Sequence, residues 1–203
     1  MFKTHQAIIS KHARRSPQNF AKVLQFVILT VQEPLYRVPN NIKTAAKGGE
    51  DAMGVLFGFK FQAYNNAEQI AETALSYCEH VNAQDIPEKA KAKAMVECIA
   101  SEYGFGLVKA GFVIQLAYGY AGCLDTHNIK RYGLKPTAFK NYKALRTAKG
   151  RARKLDAYIN LVYKLGGPEG LWDSWCQYVA DNQPQYYRDA NHVSQIHVDA
   201  IVK

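Results

Sequence analysis

The sequence predicts an all-α protein. Three observations carry this: apolar residues recur at three- and four-residue intervals through most of the chain, no stretch alternates with a clean period of two, and Gly, Pro and Asp punctuate the periodic segments where helices would start and stop. At 203 residues with 48% hydrophobic and 21% charged side chains, the chain can bury a core and is not a disordered polymer.

The elements follow in order. Ser16-Pro17 is an N-cap followed by Pro at the first helical position, and Phe20, Val23, Leu24, Val27, Ile28 and Val31 continue the helix until Pro34 stops it. Residues 40–60, with Gly48, Gly49, Gly54 and Gly58, read as loop or broken helix. Asn66 with Gln69 has the form of a capping box opening a helix through Ala67, Ile70, Ala71, Ala74 and Leu75. Asp85 and Pro87 start the next, through Ala90, Ala94, Cys98 and Ile99. A Gly104-Phe105-Gly106 turn leads into a short apolar helix carrying Leu107, Ala110, Val113, Ile114 and Ala117. Asp125, in Leu124-Asp125-Thr126-His127, is placed to cap a further helix. Leu155, Tyr158, Ile159 and Val162 form an amphipathic helix ending at Gly166-Gly167. Leu171, Trp172, Trp175 and Val179 form another, with the two tryptophans at core spacing. The tail after Pro184 is polar, with a short amphipathic piece around Val193 and Ile196. His192 and His197, without a third ligand near them, read as surface histidines.

Charge narrows the partner. Twenty-six Lys and Arg against seventeen Asp and Glu give +9, and the distribution is uneven. Residues 1–32 carry Lys3, Lys11, Arg14, Arg15 and Lys22 with no acid. Residues 130–155 carry ten Lys and Arg with no acid, while the acids gather between them. Two acid-free basic blocks point to a polyanion such as nucleic acid; the plainer reading is a solvated face. The basic block lacks the apolar stripe of a membrane-surface helix, and no apolar run has bilayer-spanning length. The N-terminus lacks a signal-peptide pattern. Four scattered cysteines without a CxxC pair read as reduced thiols of an intracellular protein.

The segment 104–127 holds the chemistry. Two glycines around one apolar residue allow a tight turn whose backbone N–H groups, at a helix N-terminus, suit a phosphate; taken alone, the pattern is a helix–helix turn. Together with the Asp-Thr-His element it resembles the helix-hairpin-helix DNA glycosylase superfamily, the group of endonuclease III and the adenine glycosylases. The family hairpin reads roughly L-P-G-V-G-x-K-T-A, followed by an aspartate in a V-D-T-H-like turn, and the interval from Ala110 to Asp125 is close to the family's. Residues 27–32 resemble its first core helix, which ends in a Ser-x-Gln. Residues 64–70 resemble its Y-N-x-K-A-x-x-I helix start, and Ile86-Pro87 sits where it has V-P. All appear in family order over residues 20–132.

The resemblance implies two helical lobes around a cleft: residues 20–125 as a six-helix lobe holding the hairpin at 104–106, and residues 1–19 with 126–203 as a second, basic lobe, so that both basic blocks flank the cleft. Asp125 is the implied catalytic carboxylate, acting on a nucleotide flipped out of the duplex. Gln32 would fill the gap in the stack. Gly104, Gly106 and Val108 would bind phosphate through backbone N–H groups, with Lys109, His127, Lys130 and Arg131 as further DNA contacts. For Asp125 the alternative is a plain N-cap. The family's lyase lysine falls, in ungapped alignment, on Val108; Lys109 is one place later, about 100° around the helix. That departure favours monofunctional chemistry and leaves Lys109 as a phosphate contact or surface residue. Only Cys176 follows the motif, so no iron–sulfur cluster is expected, nor any other metal; a monovalent cation at the hairpin is the one cofactor left open. Ile28 occupies the slot of the adenine glycosylases' Glu, which argues against adenine-mismatch removal.

Three functions remain open. One is a monofunctional DNA N-glycosylase. Another is an enzyme like the phage proteins of this superfamily implicated in thymine hypermodification, replacing the pyrophosphate of a modified thymine in DNA with an amine or amino acid. The last is a non-catalytic DNA-binding module. Each implies DNA as partner and a monomer inside the cell. The tyrosines Tyr64, Tyr118, Tyr120 and Tyr132 read as partly buried core with pocket lining as the alternative.

Overall fold

A computed structural model describes residues 1–31, 33–135 and 137–203. Among them are eleven α-helices, one 3-10 turn and no strand, so the chain is all-α.

Helix α1 (Phe2–Ala13) occupies most of the N-terminal segment ahead of Ser16. It buries Phe2, His5, Ile9 and Ala13, a stripe at three- and four-residue spacing. Helix α2 (Pro17–Leu29) starts as expected, the Ser16 hydroxyl accepting from the Asn19 N–H. It ends well before Pro34: Thr30 turns its hydroxyl back onto the Val27 carbonyl (2.7 Å) and closes the last turn. After a 3-10 turn at Leu35–Arg37 the glycine-rich region forms two short helices, α3 (Val38–Lys47) and α4 (Gly49–Val55), broken at Gly48 and Gly58, both at positive φ.

Helix α5 (Phe59–Ala83) corrects one expectation. The Asn66/Gln69 pair lies inside it, not at its start. The helix has already begun at Phe59, and Ala63, Ala67, Ala71 and Ala74 form a small-residue stripe buried against α2 and α6. Continuous packing along that stripe outweighs a local capping pattern.

Helices α6 (Glu88–Ser101) and α7 (Leu107–Ala117) pack against each other and are joined by residues 102–106. Gly104 is demanded twice. Its φ is +83°, and a Cβ there would come within 2.3 Å of the Ala63 Cβ on α5. Gly106 is extended, with open space where a Cβ would go. We expect Gly104→Ala to destabilise the protein by about 2–5 kcal/mol, the sum of left-handed strain and overpacking, and Gly106→Ala by less than about 1 kcal/mol. Thermal melts of the two variants check this, and equal losses would show that the turn is not wedged on α5.

Helix α8 (Thr126–Arg131) is one and a half turns long. Helices α9 (Ala148–Lys164), α10 (Gly167–Asn182) and α11 (Ala190–Val202) complete the chain. The helical segment near Val193 is thus a full thirteen-residue helix. Helix α1 packs on α11 and α10 as well as on α7 and α2, so the two ends of the chain are neighbours. Ser194 ties them: its hydroxyl accepts from the Trp172 indole N–H (2.9 Å) and lies 2.6 Å from His5 Nδ1. Buried apolar side chains from Phe2 to Ile201 form one contiguous core. The four cysteines are free, and among the described residues no helix is long and apolar enough to cross a membrane.

Candidate functional site

Residues 118–125 cross between α7 and α8, and four buried groups fix their path. Tyr158 of α9, fully buried, donates its hydroxyl to the Gly122 carbonyl (2.5 Å) and accepts from the Leu124 N–H (3.4 Å). Gln115 of α7, 1% exposed, accepts from the Cys123 N–H (3.1 Å) while donating to the Pro168 carbonyl at the start of α10 (2.8 Å). The Asn128 side chain donates to the Cys123 carbonyl (2.8 Å). Phe139 meets the Tyr158 ring edge-on at 5.0 Å. Backbone groups that would be orphaned in a buried crossing are therefore satisfied by side chains from three helices.

This frame delivers Asp125. Its Oδ1 accepts from the Asn128 N–H (2.8 Å), so the residue is the N-cap of α8, the plainer of the two expected roles. Asp125 also lines a cavity of about 870 Å³. Burial pushes its carboxyl above the ordinary 3.8. The Asn128 N–H, the charge and N–H of His127 and the Trp175 indole N–H pull the other way without winning. That indole N–H is buried and has no hydrogen-bond partner within reach among the described residues, although it stands near enough to Asp125 to favour the ionised form.

The cavity lies where the end of α2, the start of α7, the Asp125 turn and α10 meet. Its wall is aromatic: Phe112 is 6.4 Å from Trp172 and 6.0 Å from His197, which in turn is 4.6 Å from Trp172 and 5.7 Å from Trp175. His197 corrects the sequence reading: it is buried, not on the surface, and His192 is half-buried. Burial lowers the His197 pKa to about 4, so a neutral imidazole sits among the rings, its Nδ1 held 3.0 Å from the Val193 carbonyl. At the mouth, Tyr36 stacks on Tyr186 (3.9 Å, 13° between planes), and the Tyr36 N–H donates to the Tyr187 hydroxyl (2.9 Å). None of the tyrosines 64, 118, 120 and 132 lines the cavity; Tyr36, Tyr178, Tyr186 and Tyr187 do.

The remaining site residues divide. Val108, Lys109, His127 and Lys130 line the cavity. The 100° step from Val108 therefore does not carry Lys109 away from it. The Lys109 ammonium sits 4.5 Å over the Phe59 ring, and burial, helped by the nearby Lys143, lowers its pKa to about 8. Gly106 caps α7 without a side-chain hydrogen bond, which leaves the first-turn N–H groups of α7 unclaimed by a capping side chain. Gly104 is absorbed in packing against α5, as above. Arg131 is outside the cavity lining: it stacks on Tyr178 (5.2 Å) and reaches Asn128 and Ser174, bracing α8 against α10. Gln32 lies outside the described residues.

The two basic blocks do not share this opening. Lys140 lines the cavity, Lys143 reaches the Glu102 carbonyl at the α6–α7 turn, and Lys154 reaches the Lys140 carbonyl, so the block 130–155 borders it. None of the N-terminal cations Lys3, Lys11, Arg14, Arg15 and Lys22 lines it. Arg14 binds Glu79 near the C-terminal end of α5, whereas Phe59 at its other end contacts Lys109. Twenty residues of helix separate those points, about 30 Å. The expected flanking of one cleft by both blocks is therefore not what the helices build, because α1 packs on α7 and α11 and Arg14, just past its end, is tied to the far end of α5.

Among the described residues no group of three His, Cys, Asp or Glu side chains converges as a metal site would require. Comparisons with protein-family models, with curated proteins and with solved structures return no match.

Proposed function

We propose that the protein is a DNA-binding enzyme acting on a base turned out of the duplex, a monofunctional N-glycosylase in which Asp125 is the working carboxylate. One observation carries the reading: the carboxyl of Asp125, set by a hydrogen-bonded crossing and raised in pKa by burial, opens onto an aromatic-walled cavity large enough to admit a nucleoside beside an acid-free basic segment. Rings along the wall suit stacking of a planar base. Lys130, Lys140 and Lys143 suit the phosphates around it. In this reading the α6–α7 turn is the helix-hairpin-helix, and it presents the open first-turn N–H groups of α7 to a phosphate. Gln32 belongs to the reading by resemblance alone.

The bond from C1′ to the base nitrogen breaks, the electron pair leaves with the base, and the sugar becomes cationic. Asp125 stabilises that cation and takes a proton from the water that adds to C1′. The base leaves, and an abasic site remains.

Cavity size favours a second reading in the same site. About 870 Å³ is in the upper part of the range that encloses a drug-sized ligand, which leaves room for a base with an appended group. Lys109, Lys130 and Lys140 on the wall suit an anionic appendage. Replacement of pyrophosphate on a modified thymine by an amine would use that room and leave the sugar intact.

Mass spectrometry of nucleosides and free bases after incubation with DNA of varied base content separates the readings. Free base with alkali-labile sites, both lost in Asp125→Asn, supports excision. An adduct on pyrophosphorylated thymine, with no abasic site, supports modification. No product on any DNA, with affinity unchanged in Asp125→Asn, leaves a binding module.

Lys109 gives a separate test. About a tenth of an amine with pKa near 8 is uncharged at pH 7. Its position over Phe59 favours the ammonium form. We expect borohydride to trap no covalent complex with abasic DNA. A trapped adduct that disappears in Lys109→Ala would make the enzyme bifunctional.

A further inference from the structure

We propose that Lys11, Arg15 and Lys22, where α1 meets α2, form a second DNA-binding surface that holds a duplex segment other than the one at the cavity. This rests on the reading of DNA as the partner and extends it to the far end of the molecule.

All three side chains are exposed, and none forms an ion pair among the described residues. Lys11 and Arg15 edge a shallow groove with Gln6, Ser10, Arg14 and Tyr118. The acid on this groove, Glu79, is already used. It takes two hydrogen bonds from Arg14 (2.6 and 2.8 Å) and one from the Tyr118 hydroxyl (2.9 Å). The guanidinium of Arg14 is further held over the Tyr118 ring at 5.1 Å. Arg14 is therefore a structural ion pair, and its neighbours are left as uncompensated cations. His12 between them feels this: burial lowers its pKa first, then the charges of Lys22 and Arg15, and its Nε2 is buried without a partner. Like charges gathered without a counterion are stabilised by a polyanion that supplies one.

Geometry makes this surface separate from the cavity. The far end of α5 lies about 30 Å from the end that meets Lys109, and no residue of α1 lines the cavity. Lys11 stands in the last turn of α1 and Arg15 two residues past its end, in the turn that leads to α2. The groove is open and polar, which suits a phosphate backbone better than an apolar protein anchor.

The test compares the full-length protein with Lys11→Ala/Arg15→Ala/Lys22→Ala and with Lys140→Ala/Lys143→Ala, each checked for unchanged helicity and melting. A short duplex is immobilised, protein is bound, and recruitment of a second, labelled duplex is read. Sedimentation then gives the stoichiometry. The wild type should recruit the second duplex as one protein with two duplexes. The triple variant should keep the first duplex and product formation but recruit none. Its slope of log affinity against log salt on long DNA should be shallower by about 2–3. Recruitment by the triple variant equal to wild type overturns the proposal. So does displacement of the second duplex by polyglutamate at equal charge, which would make an acidic protein the occupant. If only Lys140→Ala/Lys143→Ala loses DNA, the second surface falls and the cavity reading stands. If neither variant changes binding, the cavity reading falls too.

Discussion

Asp125→Asn is expected to lower product formation by about 10²–10⁴-fold while leaving DNA affinity and the fold intact. Asparagine caps a helix as well as aspartate does, so the Asn128 N–H keeps its acceptor. What is lost is the negative charge, and with it both the stabilisation of a sugar cation and the acceptor for the proton of water. The substitution therefore separates the two roles that one residue combines here. Single-turnover rates with saturating protein give the effect on chemistry; binding isotherms give the other half. A variant that keeps full turnover reduces Asp125 to a cap and removes the enzymatic reading.

The sign of the pH dependence follows from burial. Because desolvation raises the folded-state pKa of Asp125 above 3.8, the carboxylate is held at a cost to the folded state. That cost is absent below 3.8, where the group is protonated in both states, and grows as pH rises through the folded-state value. At neutral pH Asp125→Asn should thus be at least as stable as wild type, and the difference should vanish in acid. Turnover, which needs the ionised form, should fall on the acid side at a pH above the ordinary aspartate range.

Much of this frame can be read from residues near one another in the chain. Helices α2 and α9 follow from their apolar spacing, and Asp125 from the Asp-Thr pair that opens a helix. The cavity wall cannot be read that way. Phe112, Trp172, Trp175, His197 and Tyr36 come from four separated segments, and only packing brings them to one opening. His197 did leave a signal. It stands four residues from both Val193 and Ile201, on the stripe that α11 buries, and a polar residue on such a stripe deserves a partner search. Asn66 and Gln69 show the opposite failure, a local cap pattern outweighed by the alanine stripe of α5. The placement of the N-terminal charges failed for a third reason. Composition records how many cations a segment holds, whereas the end of the molecule they occupy depends on how α1 docks.

The second large effect is expected from Gly111, which touches no part of the cavity. A Cβ at this position on α7 would lie 2.2 Å from the Tyr158 hydroxyl and 2.7 Å from the Gly122 carbonyl. Neither neighbour can give way cheaply, since one is a fully buried ring and the other is backbone. Gly111→Ala should cost about 1–3 kcal/mol of stability and push the crossing away from α7. Because a shift near 1 Å in a reacting group costs about 10²-fold in rate, turnover should fall by that order with DNA affinity retained. Tyr158→Phe removes the hydroxyl instead, orphaning the Gly122 carbonyl and the Leu124 N–H at about 1–3 kcal/mol. The double variant relieves the closest clash, so its loss should be smaller than the sum of the single losses. Its rate should stay low, because the 2.7 Å conflict with the Gly122 carbonyl persists. Denaturation curves and single-turnover rates on the three variants measure both quantities. Additive stability losses with undiminished turnover would mean that Tyr158 merely fills space and does not hold the turn that carries Asp125.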